Sequence, residues 1–155
     1  MSVSNANFVF LRPFRVNDPD ELDRVLEIAK NSLTEYYSPK LIVDLYEEWP
    51  EGFSVAEVYH KVAGFVIGSR YSSSEARILM IAVEKSYRKM GIGSSLLTNF
   101  IDLCMKKNFS AVRLEVKTDN EEAIKLYKKF NFEITSRISA YYSDASDAFT
   151  MWRTI

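Results

Sequence analysis

The chain of 155 residues contains little of what disulfide frameworks and metal centres require. It has a single cysteine, Cys104, and a single histidine, His60. One thiol cannot form a disulfide within the chain, and the shortage of soft ligands argues against a Cys/His metal centre, so we expect no bound metal. The polar residues 1–7 lack a basic region followed by a long apolar run, so we expect no signal peptide.

A strong net charge and a long apolar run are also absent. The formal net charge is −1, which gives no global field that would attract nucleic acid or an anionic membrane. No apolar run approaches the ~20 residues that span a bilayer. The length suits one domain, and we predict a single domain over residues 1–155. Together these absences favour a soluble cytoplasmic protein without a nucleic-acid or membrane partner.

What the chain does contain is a clear alternation of strand-like and helix-like apolar patterns. Strands are predicted over residues 8–14, 53–59, 62–71, 77–83, 111–116, 132–137 and 148–153. Helices are predicted over residues 19–33, 39–48, 92–107 and 121–130, and a tight turn at His60 and Lys61. The order β-α-α-β-β-β-α-β-α-β-β has consecutive strands in its middle. It therefore favours a mixed α/β sheet with helices on its faces over a doubly wound parallel sheet.

The segment 78–97 holds the most informative local pattern. An apolar strand ends at Val83, and the run Arg88–Gly93 then leads directly into a helix. Free backbone N–H groups and the helix dipole favour an anion at such a turn, while its glycines permit close approach and its two cations add charge. The spacing matches neither a Walker loop nor the GxGxxG fingerprint. We expect a pyrophosphate as the ligand of this turn.

This turn resembles the acetyl-CoA loop of the GNAT superfamily of N-acyltransferases, in which Arg-x-x-Gly-x-Gly follows a strand. The family pattern Asn-x-x-Ala-x-x-Leu-Tyr-x-x-x-Gly-Phe is matched downstream by Asn120, Ala123, Leu126, Tyr127, Asn131 and Phe132. Asn131 replaces the glycine, and asparagine tolerates positive φ. The resemblance implies a central mixed, mostly antiparallel sheet of about seven strands, with a fourth strand splayed from the fifth and about four helices on its faces.

A narrower resemblance is to protein N-terminal acetyltransferases of the ribosomal-protein and archaeal type. The segment Leu33–Tyr37 is similar to their Leu-Pro-Glu-x-Tyr segment, with Thr34 in place of proline, and Tyr141-Tyr142 is similar to their C-terminal loop. Ser146 replaces an acidic residue, and both departures leave the peptide preference open. The resemblance implies protein or peptide N-termini as acceptors. Such enzymes act alone or on a ribosome-docking auxiliary subunit, and we expect a monomer or weak homodimer.

The resemblance also implies which residues bind the two substrates. Acetyl-CoA is assigned to the end of the fourth strand, the glycine turn and two helices, namely Ile81, Ala82, Val83, Arg88, Lys89, Met90, Gly91, Ile92, Gly93, Ser94, Asn120 and Tyr127. The acceptor slot is assigned to Leu33, Glu35, Tyr36, Tyr37, Arg77, Tyr141 and Tyr142. Backbone amides of the fourth strand would also polarise the thioester carbonyl.

Candidate catalytic residues follow from the same resemblance and from the residue types at these positions. The family places a tyrosine, here Tyr127, near the CoA sulfur as general acid. Arg77 occupies the usual base position, and a guanidinium cannot act as a base. Glu115, on the same strand face as Arg113 and Lys117, is one candidate base, and Arg77 is its expected ion-pair partner. Glu35 is the rival.

Three points about the reaction stay open: whether a base is needed, which amine is acetylated, and whether turnover occurs. An α-amino group has a pKa near ~8, so the enzyme could work without a strong base. The acceptor amine could belong to a small molecule or a lysine side chain. The chain could also be an acyl-CoA-binding module without turnover.

Overall fold

The computed structural model describes residues 8–33 and 35–155, and their strands form one seven-stranded sheet. Thr34 and residues 1–7, where no signal peptide is expected, lie outside the described residues. The strands are β1 (Val9–Pro13), β2 (Phe53–Val58), β3 (Lys61–Arg70), β4 (Glu75–Val83), β5 (Ala111–Lys117), β6 (Glu133–Ile138) and β7 (Ala148–Thr154). The α-helices are α1 (Pro19–Ser32), α2 (Pro39–Glu48), α3 (Ile92–Lys106) and α4 (Glu121–Lys129).

The sheet order is β1-β2-β3-β4-β5-β7-β6, and β4 and β5 form its parallel pair within otherwise antiparallel neighbours. This architecture confirms the predicted fold class and order of elements. In the described part of the chain, no helix is long and apolar enough to cross a membrane.

Side-chain caps start three of these four helices. Asp18 accepts from two backbone N–H groups of α1, Ser38 from the Leu41 N–H of α2, and Asn120 from an N–H of α4. The fourth helix, α3, has no side-chain cap and instead follows Gly91, whose φ is +80°. The first N–H groups of α3 therefore lack the acceptor that caps supply at the other three helices.

Apolar clusters pack on both faces of the sheet. On one face α3 contributes Leu96, Phe100 and Cys104, which pack against β4, β5 and β7. On the other face Ile28 of α1 and Ile42 of α2 pack against β2, β3 and the end of β4. Burial raises the pKa of the Cys104 thiol to about 12. Cys104 is therefore a core residue and not a nucleophile, as the helical spacing predicts.

The β4–β5 pair splays apart in the middle of the sheet. Pairing runs from Glu75 to Ile78 and then stops, although β4 continues to Val83. At the same place the β3–β4 register shifts and leaves Leu79 without a partner on β3. As a result Ile78 packs on the α3 side of the sheet, whereas Met80 packs on the α1 side. A bulge bends its strand, so the second half of β4 leaves β5 and opens a gap.

The position of the β2–β3 turn differs from the prediction by one residue, whereas the left-handed backbone at Asn131 agrees with it. The β2–β3 turn is centred on Tyr59 and His60, whose φ values are 49° and 67°, whereas Lys61 already belongs to β3. Positive φ at both central residues is the geometry of a type I′ two-residue hairpin loop, so the turn lies one residue earlier than predicted. Asn131 adopts φ 67°, as predicted from its place in the family pattern.

Candidate active site

The gap between β4 and β5 holds a cavity of about 550 Å³, which we call the donor cavity. Its walls are the diverging ends of β4 and β5, the start of α3 and one face of α4. Eleven of the twelve residues assigned to acetyl-CoA line it: Ile81, Ala82, Val83, Arg88, Lys89, Gly91, Ile92, Gly93, Ser94, Asn120 and Tyr127. The twelfth, Met90, is not among the lining residues, because it packs against the core cluster on the α3 side.

The uncapped start of α3 forms one end of the donor cavity. A Cβ on Gly93 would lie 3.7 Å from Leu126 Cδ2 and 3.9 Å from Val83 Cγ2, which are ordinary contact distances. Packing within the protein therefore does not require glycine at position 93. Its missing side chain leaves open space beside N–H groups that have no cap. This space fits a ligand whose anionic group approaches the backbone closely, as a pyrophosphate does.

The two cations of the turn are held differently. Arg88 Nε donates to the Val83 carbonyl oxygen at 3.1 Å, and its Nη2 is 3.3 Å from Ser32 Oγ. These bonds orient the Arg88 guanidinium across the cavity rim. Lys89 has a φ of 65° and lines the same cavity. Positive charge therefore adjoins the uncapped amides of α3.

A second cavity of about 580 Å³, the acceptor cavity, lies beside the β4–β5 gap. It is lined by Glu35, Tyr37, Leu41, Leu45, Arg77, Ile78, Leu79, Met80, Glu115, Tyr141, Tyr142 and Ser143. Six of these residues also line the donor cavity: Tyr37, Ile78, Leu79, Met80, Glu115 and Tyr142. The two cavities therefore meet where β4 and β5 separate.

Most residues assigned to the acceptor slot lie in this second cavity, but two do not. Leu33 lines the donor cavity instead, because it follows α1 on that side. Tyr36 lines neither cavity, since 84% of it is exposed to solvent. Of these two neighbouring tyrosines only Tyr37 faces inward, where it lines both cavities.

A carboxylate at the junction has two oxygens in different surroundings. The Glu115 side chain is 7% exposed, and its Oε1 is ion-paired with Arg77 Nη2, as expected from the sequence. Tyr141 OH donates to the same Oε1 at 3.2 Å, and Arg77 Nη2 donates to Tyr141 OH at 3.0 Å. Glu115 Oε2 is buried without a hydrogen-bond partner in the described part of the chain. Such an orphaned acceptor is costly unless a ligand donates to it.

The other candidate base, Glu35, already has a partner. Its Oε1 accepts a hydrogen bond from the Ser143 backbone N–H at 2.6 Å. This bond joins the loop between α1 and α2 to the loop between β6 and β7, 108 residues away, over the acceptor cavity. Glu35 therefore closes one side of the slot.

One buried and two partly buried phenols lie at the junction. Burial raises the pKa values of Tyr37, Tyr127 and Tyr142, and nearby acidic or phenolic groups add to the shift at Tyr37 and Tyr142. Tyr127 is 7% exposed, lines the donor cavity and packs edge-on against Phe132, with ring centroids 5.9 Å apart. All three phenols therefore stay protonated at neutral pH and can donate hydrogen bonds.

The structure also brings in lining residues that sequence reasoning missed. In the acceptor cavity these are Leu41, Leu45, Ile78, Leu79, Met80 and Ser143. Leu41 and Leu45 lie one turn apart on α2, so the helical pattern carries a signal for their shared face. Leu79 and Met80 line the acceptor cavity because the bulge in β4 changes the side of the sheet that they face. A run of apolar residues gives no indication of such a bulge. In the donor cavity the additional lining residues include Ser32, Tyr87, Glu122, Lys125 and Lys129.

The chain matches the model of the acetyltransferase (GNAT) family over residues 22–132. The chain belongs to this family. It is 35% identical over 144 residues to an N-alpha-acetyltransferase of Sulfolobus acidocaldarius, a match that covers 84% of this chain and 85% of the relative. Family membership and the predicted N-acetyltransferase class of enzyme are thereby confirmed.

Solved structures of other proteins share the fold of this chain. The structure of Ard1 from Thermoplasma volcanium superposes with a TM-score of 0.91 at 50% identity and covers 96% of this chain and 98% of that chain. Naa50 of Arabidopsis thaliana, in complex with the bisubstrate analogue CoA-Ac-MVNAL, superposes with a TM-score of 0.84 at 29% identity, over 96% of this chain and 99% of that chain. The predicted similarity to archaeal N-terminal acetyltransferases is confirmed.

Proposed function

We propose that this acetyltransferase transfers the acetyl group of acetyl-CoA to the free α-amino group of a protein or peptide N-terminus. The observation that carries the proposal is the meeting of two cavities at the β4–β5 gap, with the orphaned oxygen of Glu115 at their junction. The relative from Sulfolobus acidocaldarius is named for α-amino acetylation, and the Naa50 analogue joins CoA to a peptide.

The donor cavity supplies groups for each part of acetyl-CoA. The first N–H groups of α3, with Arg88 and Lys89, would bind the pyrophosphate. Beyond Ile78 one edge of β4 has no strand partner, so backbone groups of the segment 79–83 are available to the pantetheine arm. An N–H group on this edge would also donate to the thioester carbonyl oxygen, worth about 3 kcal/mol in the transition state when well placed.

At the junction Glu115 would receive the acceptor amine. Arg77 and Tyr141 hold Oε1, so that Oε2 is left to accept an N–H bond from the incoming ammonium group. A proton leaves the ammonium for Glu115, directly or through a water molecule. Since an α-amino group has a pKa near ~8, this step needs only a weak base at neutral pH.

The transfer itself forms one bond and breaks another. The neutral nitrogen forms a bond to the acetyl carbon, and the carbon–sulfur bond breaks with its electron pair on sulfur. The Tyr127 hydroxyl would donate a hydrogen bond to that sulfur. An ordinary phenol is already a weaker acid than a thiol, and burial raises the pKa of Tyr127 further. Its main effect is therefore to stabilise the thiolate. The proton that the nitrogen loses on becoming an amide passes to water, and water protonates the thiolate, so that the products are the N-acetylated peptide and CoA.

Thiol release from acetyl-CoA tests the proposal, with peptides that carry free or blocked N-termini and with spermidine. Turnover that requires a free N-terminus is expected. Turnover only with spermidine, or only with lysine side chains of blocked peptides, would move the acceptor to another amine. Binding of acetyl-CoA without turnover of any amine would favour a binding module.

We also propose that the enzyme acts in the cytoplasm as a monomer or weak homodimer, on chains that emerge from the ribosome or with an auxiliary subunit. Its proposed acceptors, free protein N-termini, first appear at the ribosome, which supports this setting. Co-sedimentation with translating ribosomes tests the association with the ribosome. Analytical ultracentrifugation of the isolated protein tests the oligomeric state.

A further inference from the structure

An arginine without a counter-ion lies beside the acceptor cavity. Arg113 is two residues before Glu115 on β5, and both side chains lie on the same face of the strand. In the described part of the chain the Arg113 side chain makes no hydrogen bond and no ion pair, and its Nε is buried without a partner. The buried Nε–H group loses its water contact and gains no hydrogen bond in return.

The neighbouring carboxylates are already engaged with other groups. Glu115 is paired with Arg77, which is also the residue opposite Arg113 on β4. Glu75, the other carboxylate on this part of β4, accepts a hydrogen bond from the neutral indole of Trp152, at 3.0 Å from Nε1, and forms no ion pair with Arg113 among the described residues. The two arginines therefore start from neighbouring positions of adjacent strands, and only Arg77 has a carboxylate as ion-pair partner. An anionic group from outside the chain would give Arg113 such a partner.

Aromatic groups hold the Arg113 guanidinium in a fixed position. Its central carbon lies 4.0 Å from the centroid of the Tyr71 ring, and Trp152 is the residue opposite Arg113 on β7. Tyr71 is half exposed, and Arg113 and Trp152 are partly exposed. A guanidinium stacked on a ring keeps its donor edge free and in a defined plane, which suits a carboxylate fork.

The distance along β5 places this group on the path of an acceptor peptide. Residues two apart on one strand face are separated by ~7 Å. An extended peptide advances ~3.3–3.6 Å per residue, so a chain whose amine is at Glu115 reaches the level of Arg113 at its second or third residue. Among the described residues, the cluster formed with α1 and α2 contains no residue of β5 or β7, and Arg113 and Tyr71 are partly exposed on this face.

We propose that Arg113 binds the carboxylate of an aspartate or glutamate at the second or third position of the acceptor polypeptide. The preferred acceptors are then N-termini with an early acidic residue. This inference rests on the proposed α-amino acetyltransferase function, because it assumes that the acceptor amine lies at Glu115.

Peptides that differ at one position test this inference. Each has the same free first residue and either Glu or Gln at the second or third position, and kcat/KM is measured for each member. We expect a roughly tenfold preference for Glu at one of these positions. Arg113→Gln should abolish the preference by reducing kcat/KM for the Glu peptide to that of the Gln peptide, while turnover of the Gln peptide is retained.

Two further variants separate charge from geometry. Arg15→Gln removes an exposed arginine just after β1, the edge strand four positions from β5 in the sheet, and should leave the preference unchanged. Arg113→Lys keeps the charge but loses the fork, and should retain only part of the preference. Equal rates for Glu and Gln peptides in the unmodified enzyme, or a preference that survives Arg113→Gln, would overturn the inference alone. No turnover of any free N-terminus would overturn the proposed function and the inference together.

Discussion

Glu115 shows how one side chain can be both fixed and available. Arg77 and Tyr141 hold one of its oxygens, and the other is buried and unpartnered at the junction of the two cavities. The ion pair with Arg77 orients the carboxylate. This arrangement suits a reaction in which part of the acceptor amine is already neutral at pH 7, because orientation then matters more than base strength.

Substitution of Glu115 should therefore have an effect that depends on pH. We expect Glu115→Gln to lower kcat/KM about 100-fold at pH 7, because the amide cannot take the proton. Above the amine pKa of ~8 the acceptor is mostly neutral, so the loss should shrink to about tenfold at pH 9. A kcat/KM profile from pH 6 to 9.5 measures this change. The exposed Glu48→Gln is the matched control, and a loss that is constant with pH would contradict the proton-acceptor role.

At the scale of elements, the Glu35–Ser143 bond ties two loops together over the acceptor cavity. Glu35→Ala should raise the KM for a peptide about tenfold with little change in kcat. The substitution removes the hydrogen bond that fixes the loop and leaves the groups at the reacting atoms in place. Glu35→Gln should keep most of the affinity, since its amide oxygen can still accept the Ser143 N–H. Steady-state kinetics on both variants shows whether Glu35 fixes the loop or acts as a base. If Gln is as harmful as Ala and kcat falls, Glu35 acts as a base.

The start of α3 offers a comparison between two glycines of one turn. Gly93→Ala meets only ordinary contacts, so the free energy of unfolding should be unchanged or slightly higher, whereas acetyl-CoA should bind at least tenfold more weakly. Gly91→Ala must hold alanine at φ +80° and should cost about 1 kcal/mol of stability. Urea unfolding and calorimetric titration separate the two effects. Tight acetyl-CoA binding by Gly93→Ala would contradict the proposed approach of the pyrophosphate to this turn.

The elements also show where prediction from sequence succeeds and where it stops. Helices and strands follow from apolar periodicity, and the Asn120 cap and the left-handed Asn131 follow from the chemistry of those residues. The bulge at Leu79 cannot be predicted in this way, because every residue of the segment 78–83 is apolar and a shift of register leaves the composition unchanged. The Glu35–Ser143 bond joins loops far apart in the chain, which no local pattern encodes.

For the molecule as a whole, the two cavities meet because one strand pair is incomplete. A continuous β4–β5 ladder would close the gap and separate a donor on one side from an acceptor on the other. The predicted single domain over residues 1–155 stays a prediction, but the described strands share one sheet, and both cavities depend on its centre. Binding of acetyl-CoA should therefore stabilise the whole sheet and not only the turn at α3.

Cys104 provides a measure of that global stabilisation. The thiol is fully buried, and burial raises its pKa to about 12, so that Cys104 is almost entirely protonated at pH 8 in the folded protein. A disulfide reagent should therefore label Cys104 only after opening of the core. When opening is global and in rapid equilibrium, a saturating acetyl-CoA concentration of 100 times its Kd should slow labelling about 100-fold. Labelling rates at increasing urea and acetyl-CoA measure this effect. Fast labelling without urea, or a rate that acetyl-CoA leaves unchanged, would show that the α3 side of the core opens independently of the donor cavity.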